Sequence, residues 1–339
     1  MALVVTGVEG LDNHQTGRGH PECPARVVAA AAGVADVELG SDLVVVEGRP
    51  ATRAELMRVH GAPYLDALER FCAAGGGHLD PDTVTVAGSW PTAVIAAGAG
   101  LAAIEALEQG RGDGAFVITR PPGHHAGRDR AMGFCLLNNV AVAAAALAAG
   151  GERVLIVDWD VHHGNGTQEI FWDDPSVLYL STHQAPHYPG TGSLAETGGP
   201  RARGLTINVP LPAGTTGDAI RMAIDELAVP AAERFRPDWV LVSAGFDAHR
   251  DDPLADLLLT AGDFADLTRR VAHLAPPGRI VLFLEGGYDL AALRHSVAAA
   301  VSTLAGADLV PEPPSSGGPG AGVVAAARQI LDRQADEPW

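Results

Sequence analysis

Eight short apolar runs, at 3–6, 43–46, 115–118, 153–158, 177–181, 204–209, 239–243 and 280–284, recur along the chain. Most are separated by Ala/Leu-rich segments with helical spacing, at 24–33, 52–59, 63–74, 90–109, 136–149, 216–234, 262–274 and 289–305. Continuous apolar runs, lacking the alternation of a half-exposed strand, suit strands covered on both faces. Strands that alternate with helices must be joined by crossovers, which forces them parallel. The expected fold is therefore α/β, with a central, mostly parallel sheet and helices on both faces. The length, 339 residues, suits one large domain, and 1–310 is expected to form it. The Pro/Gly/Ser-rich stretch PEPPSSGGPG at 311–320 breaks the pattern, and a helical pattern follows at 322–334. Residues 311–339 are expected to be a linker with a short helix or tail. There is no internal repeat.

The formal charge is −18, and all 23 basic residues are arginine. Binding to phosphate backbones depends on clustered cations, so direct nucleic-acid contact is not expected. No run of 18 apolar residues occurs, and the first residues lack a basic, apolar leader pattern, so the expectation is a cytoplasmic protein without a membrane span. Cys23, Cys72 and Cys135 are too few and too irregularly spaced for a disulfide framework or a thiolate metal cluster, and are expected to be reduced.

Two runs end in chemistry. VLIVDWDVHHGNG (154–166) and DWVLVSAGFDAH (238–249) each lead an apolar strand directly into carboxylates and imidazoles. Ligands in α/β sheets bind beyond the carboxyl ends of strands, which is where Asp160, His162 and Asp247 fall. Two carboxylates and a neutral imidazole suit a divalent metal and leave positions open for water and substrate. Isolated Asp residues at strand ends often only cap turns, but the adjoining His162 and His163 make that account poor. His124 and His125 follow Pro121, Pro122 and Gly123 on a constrained turn, and imidazoles titrate in the range that proton transfer needs. Asp158 and Asn165 are candidate partners that would set the two rings' basicities apart. Tyr288 follows a strand and two glycines; its hydroxyl could donate to a developing oxyanion or simply be satisfied beneath a turn. Phe134 and Tyr188 stand in Gly-flanked loops, where they could line a passage or merely pack.

In order along residues 17–302, the segments GRGHPECPAR, RPPGHHA, MGFCLLNNVAVAA, VDWDVHHGNGTQ, YLSTHQ, PGTG, SAGFDAHRDDPL and EGGY resemble those of the arginase–deacetylase superfamily, specifically the zinc-dependent histone deacetylases and acetylpolyamine amidohydrolases. The resemblance implies a single-domain three-layer α/β/α fold, one zinc held by Asp160, His162 and Asp247, and hydrolysis of an N-acyl amine. It implies that His125 is general base and acid, that His124 is its electrostatic partner paired with Asp158, and that Tyr288 polarises the carbonyl. By the same resemblance Gly133, Phe134, Tyr188 and Leu254 line a substrate tunnel. A structural potassium would be held by Asp158, Asp160, His162, Ser181 and Thr182, with a second site near Phe171 and Val177. Asn165 and Glu285 look like the class II branch. The binuclear branch uses additional aspartates in its Asp-x-His and Asp-x-Asp stretches, whereas here His163 follows His162 and SAGFD supplies only Asp247, which favours one metal. Polyamine-selective relatives carry an acidic residue at the position of Leu254, so acyl-lysine-like or other linear acylamines are the expected substrates, with Glu22 or Asp82 as alternative sources of an acidic rim. An acetylpolyamine or small-metabolite deacetylase, a binuclear ureohydrolase and a non-catalytic acylamine-binding module are the alternatives.

Overall fold

The computed structural model describes residues 1–334. Its strands are β1 (Leu3–Thr6), β2 (Leu43–Val46), β3 (Gly76–His78), β4 (Val84–Val86), β5 (Gly114–Val117), β6 (Val154–Asp158), β7 (Val177–Gln184), β8 (Thr206–Leu211), β9 (Trp239–Ala244) and β10 (Ile280–Leu284). Eight of them form one sheet in the order β2-β1-β5-β10-β9-β6-β7-β8, with every neighbouring pair parallel. The expected strands are all present, shifted by at most a few residues at their ends. Strands β3 and β4 pair antiparallel in a separate hairpin that the apolar pattern did not signal.

Successive strand residues face opposite layers, so Leu155 and Val157 of β6 enter one core while Val154 and Ile156 enter the other. The first core is closed by α1 (Ala25–Asp36), α7 (Gly217–Ala223), α8 (Val229–Phe235), α9 (Ala261–Ala272), α10 (Leu290–Leu304) and α11 (Ala321–Gln334). The second is closed by α2 (Arg53–Leu56), α3 (Ala62–Ala73), α4 (Ser89–Glu108), α5 (Asn139–Ala149) and α6 (Asn165–Phe171). Helix α4 is long and apolar enough to cross a membrane, yet 67% of its most apolar window is buried in this core. Its composition is that of a helix packed on all sides.

The helix expected over 216–234 is split. A π turn at Ile224–Ala228 joins α7 to α8 just before Pro230, which has no N–H to offer the carbonyl of Glu226. Arg328 of α11 donates to that carbonyl instead, at 2.9 Å. The C-terminal segment thus packs back on the domain, with Val324, Ala327 and Leu331 buried in the first core.

From β5 the chain skips two positions to reach β6, and β9 and β10 later fill the gap. The carboxyl ends of β5, β10, β9 and β6 therefore meet at the centre of the sheet, the place where open α/β sheets bind ligands. Register fixes the depth: Asp158 at the end of β6 lies beside Ser243 of β9 and Ser181 of β7.

Candidate active site

Beyond β6 and β9 the chain turns so that Asp160, His162 and Asp247 converge, their ligand atoms all within 4.8 Å of one another. His162 Nδ1 stands 3.1 Å from Asp160 Oδ1 and 3.2 Å from Asp247 Oδ2. The second oxygens are braced by backbone: Val161 N–H donates to Asp247 Oδ1 at 2.9 Å and Gly286 N–H to Asp160 Oδ2 at 2.8 Å. Both carboxylates are buried. Burial pushes the Asp247 carboxyl up, and the neighbouring Asp160 adds to it. Burial alone would lower His162, but its hydrogen bonds to Asp160 and Asp247 outweigh that and push it up to about 10. Two buried carboxylates facing one ring make a point of strong demand for positive charge.

The adjacent histidines are treated oppositely. Both are buried, with ring centroids 4.1 Å apart. His124 Nδ1 lies 3.1 Å from Asp158 Oδ2 and Nε2 lies 3.7 Å from Asp160 Oδ1. Burial opposes its charged form, yet the two carboxylates hold it well above the ordinary histidine value. His125 Nδ1 instead meets the neutral Asn165 Oδ1 at 2.8 Å. Burial, then the neighbouring His124 and His162, hold His125 well below the ordinary value. Their partners thus push the two rings in opposite directions, His124 toward its charged form and His125 toward the free base.

Around this pair stand the residues expected to line a passage. Gly133 lies at φ +56, and a Cβ there would fall 2.5 Å from His125 Cδ2, so glycine is what lets this turn lie against the ring. Phe134 packs edge-on against Tyr288 at 5.7 Å and against His20 at 4.9 Å. Tyr188 packs edge-on against His125 at 5.2 Å and is partly open to solvent. Leu254 is half-buried on the loop after Asp247. Tyr288 sits within the fields of Asp247 and Asp160, and burial holds its hydroxyl well above the ordinary tyrosine value. Ser181 Oγ is 2.9 Å from His183 Nδ1, and Thr182 Oγ1 is buried with no partner among the described residues. The three cysteines are free.

A family model described as the histone deacetylase domain matches residues 20–304. The chain belongs to the histone deacetylase family. Histone deacetylase 14, chloroplastic, of Arabidopsis thaliana is 40% identical over 314 residues, which cover 85% of this chain and 74% of that protein. A probable deacetylase of Archaeoglobus fulgidus is 38% identical over 316 residues, 90% of this chain and 88% of its own length. The histone deacetylase-like amidohydrolase of Pseudomonas aeruginosa is 42% identical over 263 residues, 76% and 69%. The crystal structure of the HDA15 HD domain superposes with a TM-score of 0.90 at 37% identity, covering 98% of this chain and 94% of that one.

Within this deacetylase fold, several residues around the site take places that the sequence did not signal. Glu22, expected from the sequence as a candidate acidic rim, is fully buried. It accepts from Arg120 Nε at 2.7 Å and Nη2 at 3.1 Å, and lies 3.4 Å from both Arg26 Nη1 and His14 Nε2. It therefore cannot meet a substrate cation at the surface, whereas Asp82 is exposed and its charge acts on Tyr188. Arg26 donates to Gly287 O at 2.7 Å and to Glu285 O, with its guanidinium 4.9 Å from the Tyr288 ring. Glu285 accepts from the N–H groups of Gly123 and His124, at 2.6 and 3.2 Å, which fixes the turn that presents the histidine pair. Asp252, pushed up to about 7 by burial, accepts from Tyr288 N–H at 2.7 Å.

Proposed function

We propose that this chain is a zinc-dependent deacetylase that hydrolyses acetyl-lysine-like side chains and related linear N-acylamines. The opposed pairing of His124 with the Asp158 carboxylate and of His125 with the neutral Asn165, set beside a cluster of two carboxylates and one imidazole, carries this reading. The cluster fits zinc: its donors are mixed N and O, only three in number, and buried where a divalent cation offsets two carboxylates. Zinc bound there would lower the pKa of water and polarise the substrate carbonyl.

The residues divide the remaining work. His125, neutral and held by Asn165, takes the proton of the water that attacks the amide carbonyl. His124, pushed toward its charged form by Asp160 and Asp158, favours the charge that develops on the reacting oxygen. The Tyr288 hydroxyl, protonated at neutral pH, donates to the same oxygen. His125 then passes its proton to the departing amine nitrogen as the C–N bond breaks, giving a carboxylate and a free amine. Gly133, Phe134 and Tyr188 wall the path of the acyl-amine, and the apolar Leu254 suits an uncharged alkyl chain. A structural potassium on Asp158, Asp160, His162, Ser181 and Thr182 is part of this reading, supported by the register of Asp158 beside Ser181 and by the unpartnered Thr182 hydroxyl. A second ion near Phe171 and Val177 belongs with it.

The exposed Asp82 and the half-buried Asp80, whose charges both act on Tyr188, support a second reading, in which an acetylpolyamine or other small cationic acylamine is the substrate. Retained Tyr288 weighs against a binding module without turnover. The test is to quantify bound zinc and to assay acetyl-lysine peptide and N-acetylputrescine in parallel. One zinc per chain with preferential peptide cleavage supports the first reading; preference for the polyamine supports the second. Two divalent metal ions per chain, or zinc without either product, overturns both.

A further inference from the structure

The matched family domain ends at residue 304, yet the strap that follows reaches back to the loop between β9 and α9. Pro311, Pro313 and Pro314 flank Glu312, so the segment is stiff, extended and unable to continue a helix. It is stitched down along its length. Thr260 Oγ1 donates to Pro313 O at 2.7 Å, Ser315 Oγ to Asp263 Oδ2 at 2.6 Å, and Gly318 N–H to Thr216 Oγ1 at 2.8 Å.

One carboxylate at the head of this strap ties three points together. Glu312 Oε2 stands 2.9 Å from His249 Nε2 and accepts from Ala261 N–H at 3.0 Å, at the start of α9; Oε1 accepts from Arg250 Nη2 at 2.5 Å. His249 is buried, and its Nδ1 accepts from Asp251 N–H at 3.2 Å, so Nε2 carries the hydrogen and donates to Glu312. Asp252 N–H in turn donates to His249 O at 2.9 Å. The Asp252 carboxylate receives Leu254 N–H at 3.0 Å and Tyr288 N–H at 2.7 Å. Hydrogen bonds joined through the covalent frames of His249 and Asp252 therefore link the strap, by way of the loop that begins at Asp247, to the backbone of Tyr288.

We infer that Glu312 is a positioning residue: it holds the 247–254 loop so that Asp247, Leu254 and, through Asp252, Tyr288 keep their places. The inference rests on the hydrolase reading for what those three residues do, but not for the contacts themselves. Removing the Glu312 carboxylate leaves a buried imidazole N–H without an acceptor, a penalty the loop relieves only by moving. Partners bonded directly to metal ligands typically change affinity or activity 10–100-fold when lost, and Glu312, which reaches Asp247 only through His249 and the loop backbone, is expected at the lower end of that range.

The test uses the full chain with Glu312→Ala and Glu312→Gln, read in three ways. In Glu312→Ala, kcat on acetyl-lysine peptide falls about ten-fold with a smaller change in KM, and zinc dissociates more readily. Amide exchange quickens in peptides covering 248–256 and 286–289 while α11 keeps its protection. Glu312→Gln, which still accepts from His249 and Ala261, recovers most of each readout. The proposal is overturned if Glu312→Ala lowers the thermal midpoint but leaves exchange at 248–256 and 286–289 unchanged, or if the glutamine variant is as impaired as the alanine one. Exchange reports on the loop even if the wild type cleaves neither substrate, so failure of the hydrolase reading and failure of this inference are distinguishable.

Discussion

Gly133→Ala should disable the site through a single methyl group. The spacing around the turn sets the size of the effect: the new Cβ would lie 2.5 Å from His125 Cδ2, 2.9 Å from Cγ and 3.1 Å from Tyr188 Cε1, where ordinary contacts begin at 3.4 Å. The imidazole must retreat by roughly 1 Å, a misplacement that can cost about 100-fold in rate. It has little freedom to do so without losing the 2.8 Å bond to Asn165 or pressing on the His124 ring, whose centroid is 4.1 Å away. A 100-fold loss corresponds to about 2.7 kcal/mol of barrier. The left-handed backbone at φ +56 adds a conformational cost of about 1 kcal/mol to folding. Gly110→Ala separates the two effects, since Gly110 lies at φ +71 with nothing within 4 Å of its would-be Cβ. Both variants should lose similar stability in urea unfolding, while only Gly133→Ala loses kcat/KM on acetyl-lysine peptide. A Gly133→Ala enzyme within three-fold of wild type would refute the claim that His125 is held by close packing against this turn.

Asp160→Ala should abolish both bound zinc and turnover, and retention of one zinc per chain by elemental analysis would remove Asp160 from the ligand set. Tyr288→Phe should bind zinc normally yet lose about 10²–10³-fold in kcat, the usual worth of one oxyanion donor; an unchanged kcat would reassign the hydroxyl to packing. Glu22 bears on stability rather than chemistry. Burial alone would raise its pKa, but His14, Arg120 and Arg26 outweigh that and hold it at about 2 against an ordinary 4.5. A depressed carboxylate stabilises the fold above its unfolded value and loses that contribution as pH falls, so on the order of 3 kcal/mol should disappear between about pH 4.5 and pH 2. Urea unfolding of wild type and Glu22→Gln should therefore converge as pH drops through that window, and a constant gap would mean that Glu22 does not titrate there.

The strands and the metal cluster were legible because both are local signals. A strand buried on two faces must be a continuous apolar run, and Asp160, His162 and Asp247 each lie within a few residues of the end of one. The β3–β4 hairpin was not legible, since Gly76 and Gly77 replace the apolar residues that mark a strand and adopt positive φ. The apolar run of β7 stops at Ser181, but the strand continues to Gln184; its polar end is buried where the His163 ring packs against His183 and Gly192 O lies 3.0 Å from His183 Nε2, contacts made by another strand end and a loop.

Charged residues pose the same difficulty more sharply, because a lone Glu is by default a surface residue. Glu22 is buried only because Arg120 arrives from 98 positions away, and Glu312 faces the active-site loop only because His249, 63 positions earlier, is turned toward it. Pairing of this kind depends on which strands the fold makes neighbours, so it leaves no periodicity to read. The residues that hold the reacting groups in place are thus harder to find from sequence than the reacting groups themselves. A segment that reads as a proline-rich breaker, like 311–320, can still belong to the machinery when its one carboxylate closes a network around the site.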